Sequence, residues 1–318
     1  MSYLITGAQG CIGAWVVRNL ARRGESVTVL DRETEPKRLR LLMNPAELAK
    51  IRFVTADITD YAAVAAALEG ADKVIHLAAL QVPACQADPL LGARVNVLGT
   101  LNLFEAAARQ GLRRVVYASS CAVAGAPDEY SGEFTDASAC QPHTHYGVYK
   151  LCNEGNARVY FETRQLSSIG LRPWAVYGVG RDFGLTSDPT KAIKAAVLGR
   201  SYKIGFGGRA DMQYANDVAE IFIRCAEAGP AGAHVFNLHG EALAVEAMIA
   251  AIEAAVPAAR GLITCGQKSL PFVPDFNDAA IRQAMGELPR TPFAQGVRET
   301  VEIFQQLQKE NRLTASEL

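Results

Sequence analysis

Tyr146 and Lys150 stand four residues apart, a spacing that puts a phenol and an ammonium side by side on one helical face. A cation close to a tyrosine stabilises the phenolate and draws its pKa down from about 10. That is one way for a protein without a metal to obtain a general base for a secondary alcohol near neutral pH. Ser119 and Ser120 end the apolar run RVVYASS (114–120), so the Ser120 hydroxyl is expected at the carboxyl edge of a sheet. In this reading Ser120 binds the substrate oxygen, Tyr146 exchanges its proton, and Lys150 holds the phenolate and reaches a nucleotide ribose. Tyr149, one residue from Lys150, falls on a different face.

A second signal lies at the start of the chain. TGAQGCIG (6–13) follows an apolar strand and opens a helix, the context in which a glycine run carries information. Gly7 permits a tight turn, Gly10 lets backbone approach phosphates, and Gly13 allows close helix–sheet packing. A dinucleotide pyrophosphate would face the helix N-terminus, with its free N–H groups and positive dipole end. Asp31 ends the next strand, where a carboxylate accepts from a ribose 2′-hydroxyl and repels a 2′-phosphate. Arg32, Arg38 and Arg40 follow closely and could pair with such a phosphate. For Arg32 a solvated surface charge is the simpler reading, and NAD is the expected cofactor. With the tyrosine–lysine pair, this implies hydride transfer between a sugar-like hydroxyl and a nicotinamide.

The elements that must position these groups alternate. Strand-like runs at 2–6, 26–31, 52–57, 73–79 and 114–120 are separated by helical segments at 12–23, 60–69 and 89–110. Strands this apolar predict a parallel sheet covered on both faces, an α/β, Rossmann-type doubly wound sheet binding its ligand at the carboxyl ends of its strands. Residues 1–172 are expected to form the dinucleotide-binding domain, with some later segments returning to it. Residues 173–318 then form mainly a small C-terminal α/β substrate lobe. The segment 178–190 reads as a loop over the site, 202–217 as a strand, a turn and a helix entry, and 294–310 as a terminal amphipathic helix.

Composition narrows the function classes. Hydrophobic residues make up 49% of the 318, enough for a substantial core. The net charge of −1 points neither to nucleic acid nor to an anionic membrane surface. The seven cysteines are scattered and never spaced as CxxC, against a disulfide framework or zinc site and in keeping with a reducing, cytoplasmic setting. The first strand begins almost at Met1, leaving no room for a signal peptide, and no apolar run suffices for a membrane span. His143 and His145 form an HxH pair without a third ligand in view, so no metal is expected. His76 reads as a satisfied core histidine.

Taken together, TGAQGCIG (6–13), Asp57-Ile58, HLAA (76–79), NVLGT (96–100), YASS (117–120), YGVYK (146–150), LRPWAVYGVGR (171–181) and YANDVA (214–219) resemble the extended short-chain dehydrogenase/reductase family of NAD-dependent sugar epimerases and dehydratases. The resemblance covers nearly the whole chain. It implies cofactor contacts from Gly7, Gln9, Gly10, Cys11, Ile12 and Gly13 in the first loop. Asp31 and Arg32 would lie near the adenosine ribose, Asp57 and Ile58 at the adenine end, and Leu77, Ala78, Ala79 and Asn96 along the cofactor. Ala118, Ser119, Tyr146 and Lys150 would follow, with Pro173 and Val176 beside the nicotinamide. It implies a homodimer through the helices at 89–110 and 145–163.

Departures from the pattern bear on the substrate. Ala175 stands where members acting on nucleotide-linked sugars carry asparagine, and Ala124 where epimerases often carry tyrosine. Ala210 precedes Asp211 where an arginine is common, and SLPFVPDFND (269–278) contains no arginine where a diphosphate clamp is usual. A diphosphate is normally held by arginine forks or helix N-termini. Arg181, Arg209 and Lys268 could compensate. Without compensation the substrate is smaller: a free aldose, polyol or sugar acid, contacted by Ser120, Cys121, His145, Tyr146, Trp174, Arg181 and Arg209, with Arg181 or Arg209 holding a carboxylate. Trp174 reads as packing more than stacking. Three functions remain open: an NAD-dependent dehydrogenase, an epimerase or dehydratase that returns the hydride to its substrate, and a catalytically silent NAD-sensing regulator. Dehydration calls for a further acid–base pair, and Asp128-Glu129 read as solvated loop charges.

Overall fold

The computed structural model describes all residues except Pro274 and Glu317. Among the described residues the strands are β1 (Ser2–Thr6), β2 (Ser26–Asp31), β3 (Arg52–Thr55), β4 (Lys73–His76), β5 (Arg114–Ala118), β6 (Ser167–Arg172), β7 (Ala175–Tyr177), β8 (Tyr202–Ile204), β9 (Arg209–Tyr214), β10 (Ala233–Asn237), β11 (Glu241–Ala244) and β12 (Ile263–Cys265). Seven of them make one sheet in the order β10-β6-β5-β4-β1-β2-β3, and every pair in it is parallel. The order reverses beside β1, the crevice where doubly wound sheets take ligands. This is a Rossmann-type α/β fold.

Side-chain alternation explains why both faces must be covered. Tyr3 and Ile5 of β1 point into one core with Trp15, Val29 and Ile75. Leu4 of the same strand points into the other, with Leu30, Val74, Phe104, Val115 and Tyr117. The helices Cys11–Arg22 and Ala215–Ala228 pack together on the first face, and Tyr61–Leu68, Gly99–Arg109 and His145–Arg164 cover the second. A three-stranded sheet, β11-β9-β7, and the pair β12-β8 build the remainder with the helices Asp188–Val197, Val245–Ala255 and Phe293–Lys309.

Several boundaries differ from the sequence expectation in an informative way. β3, β4 and β5 stop at Thr55, His76 and Ala118, two or three residues before their apolar runs end. Those tails leave the sheet and become the rim of the crevice. The helix expected over 89–110 is broken into Pro89–Ala93, a π-helical turn Arg94–Leu98 and Gly99–Arg109. The wider turn accompanies Asn96, which is buried and faces inward. The loop expected over 178–190 ends earlier, because Asp188 and Pro189 open a helix; an acid and a proline both suit a first turn.

Candidate active site

One cavity of about 560 Å³ lies along the carboxyl ends of β1, β2, β4 and β5. In its first half the chain turns from β1 into the helix Cys11–Arg22. Gly7 adopts φ +67°, and a Cβ there would lie 2.4 Å from the Ala78 backbone nitrogen. A Cβ on Gly13 would lie 2.6 Å from Ala8 Cα. Close backbone approach therefore demands glycine at both. No side chain caps the first turn of this helix, so its free N–H groups remain for an anion. Gln9, Gly10, Cys11 and Ile12 complete this wall.

Asp31 is partly consumed by the fold: its Oδ2 accepts from Gln9 N at 2.9 Å and its Oδ1 from Glu33 N at 3.2 Å. It thus holds the glycine loop against β2 while still lining the cavity. Glu33 lines it too and pairs with Arg32 at 3.6 Å on an exposed edge. Arg38 pairs with Asp182 and donates to Gln9 O at 3.0 Å. Two carboxylates beside the ribose position, with both nearby arginines in ion pairs, disfavour a 2′-phosphate. Asp57 spends an oxygen on Thr59 N and Oγ1, both at 2.8 Å. Ile58, Leu77, Ala78 and Ala79 form the floor. The cradle fits a dinucleotide without a 2′-phosphate.

The second half holds the groups that the sequence reads as reactive. Ala118, Ser119 and Ser120 leave β5 along the wall, facing Tyr146 and Lys150 of the helix His145–Arg164, with Pro173, Trp174 and Val176 beyond. Thr144 caps this helix through Gly147 N at 3.0 Å, which fixes where Tyr146 begins its first turn. Lys150 differs from the expectation. Its Nζ donates to the Ala118 carbonyl at 2.6 Å and lies 5.6 Å from the Tyr146 ring centre. Burial pulls its ammonium down to about 8. Burial likewise pushes the Tyr146 phenol up to about 12; the Ser120 hydrogen bond and the charge of Arg181 act against that rise. The thiols of Cys11 and Cys121 are driven up to about 11 and about 12 by burial, which leaves no reactive thiolate in the wall.

Three expected site residues lie outside the cavity wall. Asn96 accepts from Leu80 N at 2.7 Å and donates to Leu80 O at 2.9 Å, bracing the rim instead of touching its contents. His145 is exposed and stacks on Tyr149. Arg209 is exposed and pairs with Asp275 at 3.2 Å, because its place at the start of β9 points it away. Lys268 is exposed as well; within 269–278, Pro274 lies outside the described residues. Conversely, Gln81, Phe183, Leu185, Thr186 and Phe272 line the cavity without any sequence signal to mark them. Phe183, Leu185 and Thr186 lie in the stretch 178–190, which reads as a loop over the site but with none of these three singled out.

The remaining histidines are accounted for. His76 is buried, bonded to Thr6 Oγ1 at 2.6 Å and Thr100 Oγ1 at 2.9 Å, and burial together with the Lys150 charge lowers its pKa to about 3. His143 pairs with Glu129 at 3.0 Å on the surface. Among the described residues no group of three metal-ligating side chains exists, all seven cysteines are free, and no helix is long and apolar enough to cross a membrane.

Comparison with known proteins places this geometry. The model of the NAD dependent epimerase/dehydratase family matches residues 3–238. The UDP-glucose 4-epimerase of Mycolicibacterium smegmatis is 31% identical over 317 residues, covering 96% of this chain and 98% of that protein. The D-erythronate dehydrogenase of Cupriavidus necator is 32% identical over 213 residues, 61% of this chain and 64% of that protein. The structure of the Thermus thermophilus UDP-glucose 4-epimerase in complex with NAD superposes with a TM-score of 0.82 at 24% identity, covering 96% of this chain and 99% of that one, a likeness of fold. The chain belongs to the NAD dependent epimerase/dehydratase family and is an enzyme whose cofactor is NAD.

Proposed function

We propose that this protein is an NAD-dependent dehydrogenase of a small polar substrate: a sugar, polyol or sugar acid carrying a secondary hydroxyl. The observation that carries the reading is the convergence of Ser120, Tyr146 and Lys150 on one wall, while neither Arg209 nor Lys268 reaches the cavity to clamp a diphosphate. Bound NAD supplies the hydride acceptor, so oxidation of the alcohol to a ketone yields NADH and a proton. The glycine loop and the uncapped helix end would hold its pyrophosphate, Asp31 its adenosine ribose, and Lys150 its second ribose. Ser120 orients the alcohol oxygen. The Tyr146 oxygen, once deprotonated, takes the hydroxyl proton as the C–H bond breaks.

The second reading, an epimerase or dehydratase that returns the hydride to the same substrate, is favoured by the full-length similarity to a UDP-glucose 4-epimerase. Against dehydration, Asp128 and Glu129 are exposed and do not line the cavity, leaving that step without the acid–base pair it calls for. The similarity to D-erythronate dehydrogenase supports the first reading. The silent-regulator reading is weakened by the intact reactive set. The deciding measurement is absorbance at 340 nm with excess NAD⁺ and a panel of aldoses, polyols, aldonic acids and UDP-sugars. We expect sustained NADH formation with free sugars or acids. Turnover of a UDP-sugar to its epimer without accumulated NADH would replace the proposal with the second reading.

We further propose a homodimer. Leu90, Leu91, Leu98, Val148 and Val159 lie exposed along the segments 89–98 and 145–164. Apolar side chains aligned on neighbouring helices mark an association face. Light scattering is expected to return twice the mass of one chain; a single-chain mass at micromolar concentration would remove this assignment.

A further inference from the structure

Four cations line the cavity: Arg32, Arg38, Lys150 and Arg181. Arg32 and Arg38 are paired with Glu33 and Asp182, and Lys150 donates to the Ala118 carbonyl. Arg181 is different. Its Nη2 donates to Thr186 Oγ1 at 3.0 Å, and its Nε is buried without a hydrogen-bond partner. Among the described residues it pairs with no carboxylate. A guanidinium presents five donors in a rigid fork that matches a carboxylate, and a buried donor left unbonded is costly. Its terminal nitrogens carry more donors than the one given to Thr186, and these can take an acceptor from the cavity that Arg181 lines.

The backbone on either side of Arg181 is held. Trp15 Nε1 donates to the Val179 carbonyl at 3.0 Å, two residues before it, and the Arg38–Asp182 pair fixes the residue after it. The fork is thus pre-positioned, which lowers the ordering cost of binding. Trp174 and Phe272, packed edge to face, line the same cavity. An apolar lining of this kind strengthens an ion pair relative to water.

Resting on the dehydrogenase reading, we propose that Arg181 receives a carboxylate of the substrate, so that the alcohol oxidised at Tyr146 belongs to a small hydroxy acid. The cofactor pyrophosphate is the competing anion, but it has the uncapped first turn of the helix Cys11–Arg22. A single guanidinium is also a poor match for the two phosphates of a nucleotide sugar.

The test compares the wild type with Arg181→Met and Arg181→Lys. The substrates are D-erythronate, D-threonate and D-gluconate, the neutral polyols erythritol, threitol and sorbitol, and UDP-glucose; NAD affinity is titrated by tryptophan fluorescence. Wild type is expected to prefer the acids. In Arg181→Met the acid-to-polyol ratio of kcat/KM is expected to fall about 10²-fold, mostly through KM, the usual loss for a charge-assisted pair. Arg181→Lys should recover part of it, since it keeps the charge and loses the fork. An unmoved ratio with weakened NAD binding would overturn the assignment in favour of the pyrophosphate. Wild-type preference for polyols would overturn it while leaving the dehydrogenase reading intact. Absence of NADH with every acid and polyol would remove both.

Discussion

Tyr146→Phe is expected to lower kcat by about 10²–10⁴-fold, the usual worth of a positioned acid–base group, with NAD affinity unchanged. The substitution removes one oxygen from a wall position and leaves the ring, so packing is conserved. The wild-type pH profile carries the same argument. Because burial pushes the phenol up to about 12, its base form is scarce at neutral pH. Alcohol oxidation should therefore rise with pH, by up to about tenfold per unit below the apparent pKa. Lys150, drawn down to about 8 by burial, loses its charge well before the phenol loses its proton. Tyr146→Phe should flatten the rise. A variant within a few-fold of wild type, with the slope retained, would remove Tyr146 from the chemistry.

Glu154→Ala is expected to destabilise the protein by about 3–5 kcal/mol, the cost of leaving one member of a buried ion pair without the other. Tyr146, Lys150 and Glu154 follow one another at four-residue spacing down the same helix. Glu154 meets Arg172 of β6 at 2.6 Å, with side chains 7% and 4% exposed respectively. Its Oε1 also accepts from Ser119 Oγ at 2.5 Å, and Arg172 reaches Asn237 Oδ1 of β10 at 3.3 Å. The pair therefore ties the helix His145–Arg164 to the ends of three neighbouring strands. Urea unfolding is the readout. A double variant, Glu154→Leu with Arg172→Met, should recover much of the loss, because apolar replacement of both charges is often near neutral. A single-variant loss below about 1 kcal/mol, the range of exposed pairs, would contradict the burial seen here.

The class of fold and the residues that meet on the cavity wall were legible in the chain alone, because those signals are local. Alternating strands and helices, glycines at 7, 10 and 13, and a tyrosine four residues before a lysine each act through the next turn of backbone. The parallel sheet, the uncapped helix end and the shared wall of Ser120, Tyr146 and Lys150 could be read that way. Which charges are already consumed is settled instead by long-range packing. Arg38 and Asp182 are 144 residues apart in the chain, and Arg209 and Asp275 are 66 apart; nothing local announces either pair. Asn96 sits in a π-helical turn and spends its amide on Leu80, and Lys150 gives its ammonium to a strand carbonyl in place of the phenol. Arg181 and Arg209 look alike in the sequence, but only Arg181 faces the cavity. A side chain's type sets which bonds it can make, whereas the packing of distant segments sets which bonds remain for a ligand.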